Sequence, residues 1–118
     1  MNTNELLTNL NQFTGTEMCY RITPRHVLTD GTKYLAEEAR CIWLMYAIAS
    51  HLHRNIGDTF CVAKLSVNDT RAVLTLDDGN GNVYAIQEIE YTDFPLPKMK
   101  LYCCHDGEYW VIMLPSEY

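Results

Sequence analysis

Leu6, Leu7, Leu10 and Phe13 recur at offsets of one, four and seven, the spacing of a single helical face. Thr3-Asn4-Glu5 opens this short N-terminal helix and Gly15 stops it. From Met18 to Thr23 the chain alternates, with Met18, Tyr20 and Ile22 on one side, which predicts a strand that Pro24 ends. Thr29-Asp30-Gly31 forms a turn with a side chain suited to cap a helix. From Thr32 the pattern is helical to about Arg54, with a break near Glu38–Arg40. The stretch Cys41–Ala49 is apolar nearly all round, so it is expected to be buried on more than one side as the central helix, with Trp43 in the core. Its end, Ser50-His51-Leu52-His53-Arg54, puts cationic groups at the negative end of the helix dipole.

Beyond Asn55-Ile56-Gly57-Asp58 the period switches to two. Thr59–Val67, Arg71–Leu76 and Val83–Tyr91 read as strands, joined by the turns Asn68-Asp69-Thr70 and Asp77–Asn82. The second turn is rich in Gly and Asn, which supply the positive φ values of tight hairpins. Two prolines make Thr92–Pro97 a loop. Met99–Cys104 and Glu108–Leu114 then close a last hairpin around His105-Asp106-Gly107. The expected fold is α+β: one domain over residues 1–118, with an antiparallel sheet of about 4–6 strands packed against the central helix and the short N-terminal helix.

Composition narrows the function classes. The net charge is −6, and residues 60–118 carry four Lys/Arg against nine Asp/Glu. An acidic surface repels phosphate backbones, so direct nucleic-acid binding is disfavoured. Met1–Leu10 has neither the basic start nor the apolar run of a secretory signal. The longest apolar run, Cys41–Ala49, is about half of a membrane span. The expected location is the cytoplasm, away from membranes. The five cysteines (Cys19, Cys41, Cys61, Cys103, Cys104) are odd in number and read as buried, reduced residues rather than a disulfide framework.

No chemical motif stands out. Counted from Asp78, a calcium loop would need Gly where Val83 stands and Glu where Ile89 stands. His51 and His53 point to opposite sides of a helix. Cys103 or Cys104 with His105 has donors for zinc but no defining spacing. The neighbours Cys104, His105 and Asp106 are too close in sequence for a triad assembled from separate segments. Neither a metal nor a cofactor is expected. Glu88 and Glu90 fall on the outer face of a strand with Tyr84 and Ile86, either as ordinary solvated surface or as an acidic docking patch.

Phe13-Thr14-Gly15-Thr16-Glu17, Leu28-Thr29-Asp30-Gly31 with Tyr34-Leu35-Ala36-Glu37, the helix around Trp43-Leu44, Gln87-x-Ile89-x-Tyr91-Thr92-Asp93-Phe94-Pro95 and Leu114-Pro115-Ser116-Glu117-Tyr118 carry a resemblance. The chain resembles, over nearly its whole length, a family of short uncharacterised proteins of bacteria, plasmids and phages. The resemblance implies no catalytic residue. It implies a setting among mobile elements, where small acidic proteins often inhibit host defence complexes, anti-CRISPR proteins among them.

The expected function is a non-enzymatic binding module for a protein or ribonucleoprotein partner. The alternative is a small-molecule or nucleotide binder, with or without hydrolytic activity, whose pocket Tyr34, Trp43 or Phe94 would line. Asp93, Phe94, Glu117 and Tyr118 are the candidate binding residues, with Glu88 and Glu90 beside them. The loop entering the penultimate strand and the tail leaving the last one should meet at one sheet edge. Asp93 and Glu117 would supply charge there, and Phe94 and Tyr118 apolar anchors.

Overall fold

The computed structural model describes residues 2–52 and 58–118. In chain order the elements are α1 (Thr3–Leu10), β1 (Cys19–Thr23), β2 (His26–Thr29), α2 (Asp30–Glu38), α3 (Ile42–His51), β3 (Phe60–Asn68), β4 (Arg71–Asp77), β5 (Val83–Ile89), β6 (Lys98–His105) and β7 (Trp110–Met113). A 3-10 turn at Pro115–Glu117 follows. The expected helix end at His53-Arg54 and the loop Asn55-Ile56-Gly57 lie outside the described residues.

The helices follow their local signals. Asn2 caps α1 by accepting the Glu5 N–H at 2.8 Å, which satisfies one of the orphan donors of the first turn. Leu6 and Leu10 are buried, and Phe13 lies beside Tyr34 with ring centroids 5.4 Å apart. Leu7 turns outward at 44% exposure. Thr29 caps α2 in a reciprocal pair with Thr32. The expected break falls at Arg40, whose φ of 51° ends one helix and redirects the chain into the next.

The reading of the apolar helix needs correction. Leu44, Met45, Ile48 and Ala49 of α3 are buried, but Ile42 and Tyr46 are exposed and Trp43 is only half-buried. The helix is covered on one side, so it is not a core helix enclosed all round. Its apolar outer positions are surface, as apolar residues often are.

Seven strands form one sheet in the order β1-β2-β7-β6-β3-β4-β5. That exceeds the expected 4–6, and the sheet is mixed rather than antiparallel. The added strand is β2, which pairs antiparallel with β1 and parallel with β7. All four of its residues are buried, so it lacks the alternation that reveals a half-exposed strand.

The register sorts the side chains onto two faces. Leu28, Ile112, Cys103, Leu101, Cys61, Ala63, Leu65, Leu74 and Leu76 share one face and join the buried helix residues in a single core. The other face carries Arg21, Lys98, Lys100, Lys64, Ser66, Arg71, Val73, Ile86 and Glu88, all exposed. No helix among the described residues is long and apolar enough to cross a membrane.

Candidate binding surface

Three of the segments that carry the resemblance meet at the start of α2. The Glu117 carboxylate accepts the Thr29 hydroxyl at 2.6 Å, the Gly31 N–H at 3.0 Å and the Leu114 N–H at 2.9 Å. From the other side, the Asp30 N–H donates to Thr16 Oγ1 at 2.9 Å, and the Glu17 N–H donates to Asp30 Oδ2 at 3.0 Å. The Glu17 N–H, helped by Tyr20 and Thr16, holds the Asp30 carboxyl below its ordinary range. Two carboxylates thus serve a helix N-terminus, where backbone donors and the helix dipole favour negative charge. Gly31 belongs to this arrangement by close approach: a Cβ there would lie 2.5 Å from Glu117 Oε1 and 2.6 Å from Leu114 Cδ1.

This architecture assigns internal work to part of the expected site. Glu117 is a capping group. Phe94 is buried at 6% exposure, with its N–H donating to Thr92 Oγ1, and Thr92 is itself buried. Asp93 is exposed. Tyr118 is 75% exposed and packs edge-on to Phe60 at 5.5 Å and Tyr102 at 5.3 Å. Phe94 and Glu117 are therefore engaged within the fold, which leaves Asp93 and Tyr118 as the exposed members of the expected set. Met113, at the end of β7, pairs with Tyr102, in the middle of β6, about 13 Å along the strand from Lys98 at the rise of a β-strand. Glu88 stands opposite Val73 on the edge strand β5, near the exposed Ile86, and Glu90 follows just beyond the strand, also exposed.

The short β7 has a second consequence. It covers β6 only from Tyr102 to His105, so Lys98–Leu101 has no strand partner on that side among the described residues. A groove of about 530 Å³ lies at this stretch, lined by Leu7 and Leu10 of α1, Leu65 of β3, Met99 of β6 and Leu114 of the tail. Lys64, Lys98 and Lys100 also line it. Lys64 and Lys100 are direct cross-strand partners, a like-charge pairing that normally destabilises a sheet. Lys64 is offset by Asp77 at 3.2 Å, and the Lys100 ammonium lies 5.8 Å from the Tyr102 ring centre. Through Tyr102 the lysines adjoin the Phe60–Tyr102–Tyr118 cluster.

Sequence reasoning did not single out these lysines. The two-residue spacing of Lys98 and Lys100 was the only local signal, and Lys64 joins them through the β3–β6 register. The expected thiols divide by position: Cys41, Cys61 and Cys103 are buried and Cys104 is half-buried, but Cys19 is exposed. Burial pushes the Cys41 thiol up to about 12. The Asp77–Asn82 segment is a turn, as expected, in which Asp78 accepts the Asn80 N–H at 2.7 Å and the Asn82 N–H at 3.1 Å. No group of three or more His, Cys, Asp or Glu able to hold a metal occurs among the described residues.

A family model of unknown function matches residues 4–118. The chain belongs to DUF6876. The resemblance read from its motifs therefore stands as membership of an uncharacterised family. No curated protein matches this DUF6876 chain. A crystal structure of a protein of unknown function from Enterococcus faecalis is similar at a TM-score of 0.60 and 14% identity, over 83% of this chain and 93% of that one. At that identity the likeness shows the fold alone.

Proposed function

We propose that this DUF6876 protein is a non-enzymatic binding module that captures an acidic, extended segment of a partner protein along the Lys98–Leu101 edge of β6. The carrying observation is the gathering of Lys64, Lys98 and Lys100 on one apolar groove in a chain of net charge −6. An unpaired strand edge offers main-chain hydrogen bonds to an added strand, and flanking pockets select its side chains. The ammonium groups select acidic residues, and they oppose edge-to-edge pairing of β6 with a second copy, whose own edge would bring the same lysines. The groove lining holds lysines, serines, Asn11 and apolar residues, with no carboxylate or imidazole, a set suited to holding rather than to acid–base chemistry. The adjoining Tyr118 supplies an exposed aromatic of the kind that anchors interfaces. In this reading the protein works in the cytoplasm. Its small size, acidity and resemblance to proteins of plasmids and phages support a role as inhibitor of a host defence complex of the anti-CRISPR kind.

A photo-cross-linking residue placed at Ser116, on the groove, or at Ile86, on the edge strand β5, tests this in the native host. Acidic peptides should be recovered from the Ser116 position, and the charge reversals Lys98→Glu and Lys100→Glu should abolish them without lowering Tm. Cross-links confined to Ile86, or a basic captured segment, would overturn the reading and make the Glu88–Glu90 face the docking surface.

A further inference from the structure

A second cavity, of about 550 Å³, lies between the C-terminal end of α3 and the sheet, within the size range of small-molecule sites. Its lining includes Arg25, His26, Tyr46, Ser50, His105 and Trp110. Three of these rings sit side by side across β2, β7 and β6, because His26 pairs with Trp110 and Trp110 with His105. Trp110 is 3% exposed, yet its indole Nε1–H has no acceptor. An unpaired buried donor forfeits its bond to water without a replacement, so native proteins rarely leave one without a purpose.

His105 adds a second donor to the cavity, and the side chains of His26 and Ser50 are held by the fold. The Gly107 N–H donates to His105 Nδ1 at 3.1 Å, so the neutral His105 ring carries its proton on Nε2. His26 is held as a wall: Nε2 lies 3.2 Å from the Leu52 carbonyl, which can only accept, and Nδ1 lies 2.6 Å from Thr23 Oγ1. The Ser50 hydroxyl is engaged by the Ala47 carbonyl at 2.6 Å. Arg25 is exposed and forms no salt bridge with another described residue. The chain has 15 Asp and Glu, yet none of them lines this cavity. Aromatic walls, a guanidinium with no salt bridge among the described residues and an orphan indole donor, with no carboxylate in the lining, make a receptor for a flat anion.

We infer that this cavity binds a small molecule made of a flat ring and an anionic head, with Arg25 taking the carboxylate or phosphate and the Trp110 Nε1–H donating to an acceptor on the ligand. The site is independent of the β6 groove, so either can fail alone. Proton–nitrogen spectra of the full chain separate the indole N–H signals of Trp43 and Trp110. Titration with benzoate or adenosine monophosphate should move the Trp110 signal and leave that of Trp43 in place, whereas neutral benzamide and adenosine should move neither. Whichever anion acts identifies the head as carboxylate or phosphate. Arg25→Gln, on an exposed side chain, should weaken the response about tenfold or more, as loss of a charge-assisted pair implies. No response to either anion at millimolar concentration, an equal response to the neutral analogues, or unchanged affinity in Arg25→Gln would overturn the inference.

Discussion

At Gly31 two expectations about alanine point in opposite directions. Inside a helix, Gly→Ala ordinarily stabilises by about 1 kcal/mol, because glycine loses more backbone entropy. Here the added Cβ would meet Glu117 Oε1 at 2.5 Å and Leu114 Cδ1 at 2.6 Å. Leu114 is 2% exposed and cannot swing into solvent. Contact should win: Gly31→Ala is expected to destabilise by about 1–3 kcal/mol, the usual cost of overpacking. Chemical denaturation measures it. Because Glu117 is the nearest obstacle, the loss in an Gly31→Ala/Glu117→Ala double variant should be smaller than the sum of the two single losses. A higher Tm in Gly31→Ala would show that the tail does not press on the helix.

Among the elements, α3 gives the sharpest contrast between composition and placement. Its residues are apolar nearly all round, yet only the Leu44, Met45, Ile48 and Ala49 side is buried. Ile48→Ala should therefore cost about 2–5 kcal/mol, the range for emptying a packed site. Trp43→Ala should cost less, about 1–2 kcal/mol, since a half-buried ring gives up only part of its transfer energy. Urea melts followed by far-ultraviolet circular dichroism rank the two without relying on the tryptophan signal. Equal losses would mean that α3 has a second covered side.

For the molecule as a whole, β7 is the keystone of connectivity. The hairpin β1–β2 joins the rest of the sheet only through the parallel β2–β7 pair, and β6 joins β7 on its other side. The same segment carries Ile112 and Leu114 into the core and Glu117 to the start of α2. Removing Trp110–Tyr118 should abolish cooperative unfolding, although these residues include only one four-residue strand. A calorimetric scan of the truncated chain checks this. A single sharp transition near that of the full chain would show that the two parts of the sheet are held together by the helices instead. The β2–β7 pairing also spans most of the chain, and such non-local contacts form late in folding because loop closure precedes their reward.

The sequence by itself determined what depends on neighbours along the chain. Two-residue alternation marked β1 and β3 to β7, Thr29 marked the start of α2, and the Asp77–Asn82 composition marked the tightest hairpin, because side-chain period, capping and turn geometry act over a few residues. Only the tertiary structure decided the surroundings of each side chain. β2 was invisible because a strand covered on both faces has no alternation to read. Phe94 and Glu117 read as candidate contacts, but one is buried and the other caps a distant helix. Trp43 read as core, but its ring is only half-buried and packs at the margin of the core. Lys64, Lys98 and Lys100 became one groove, and Arg25, His105 and Trp110 one cavity, through pairings between strands far apart in sequence. Local preference decides which element a segment forms. The distant segment that closes over it decides whether a side chain meets core, partner or water.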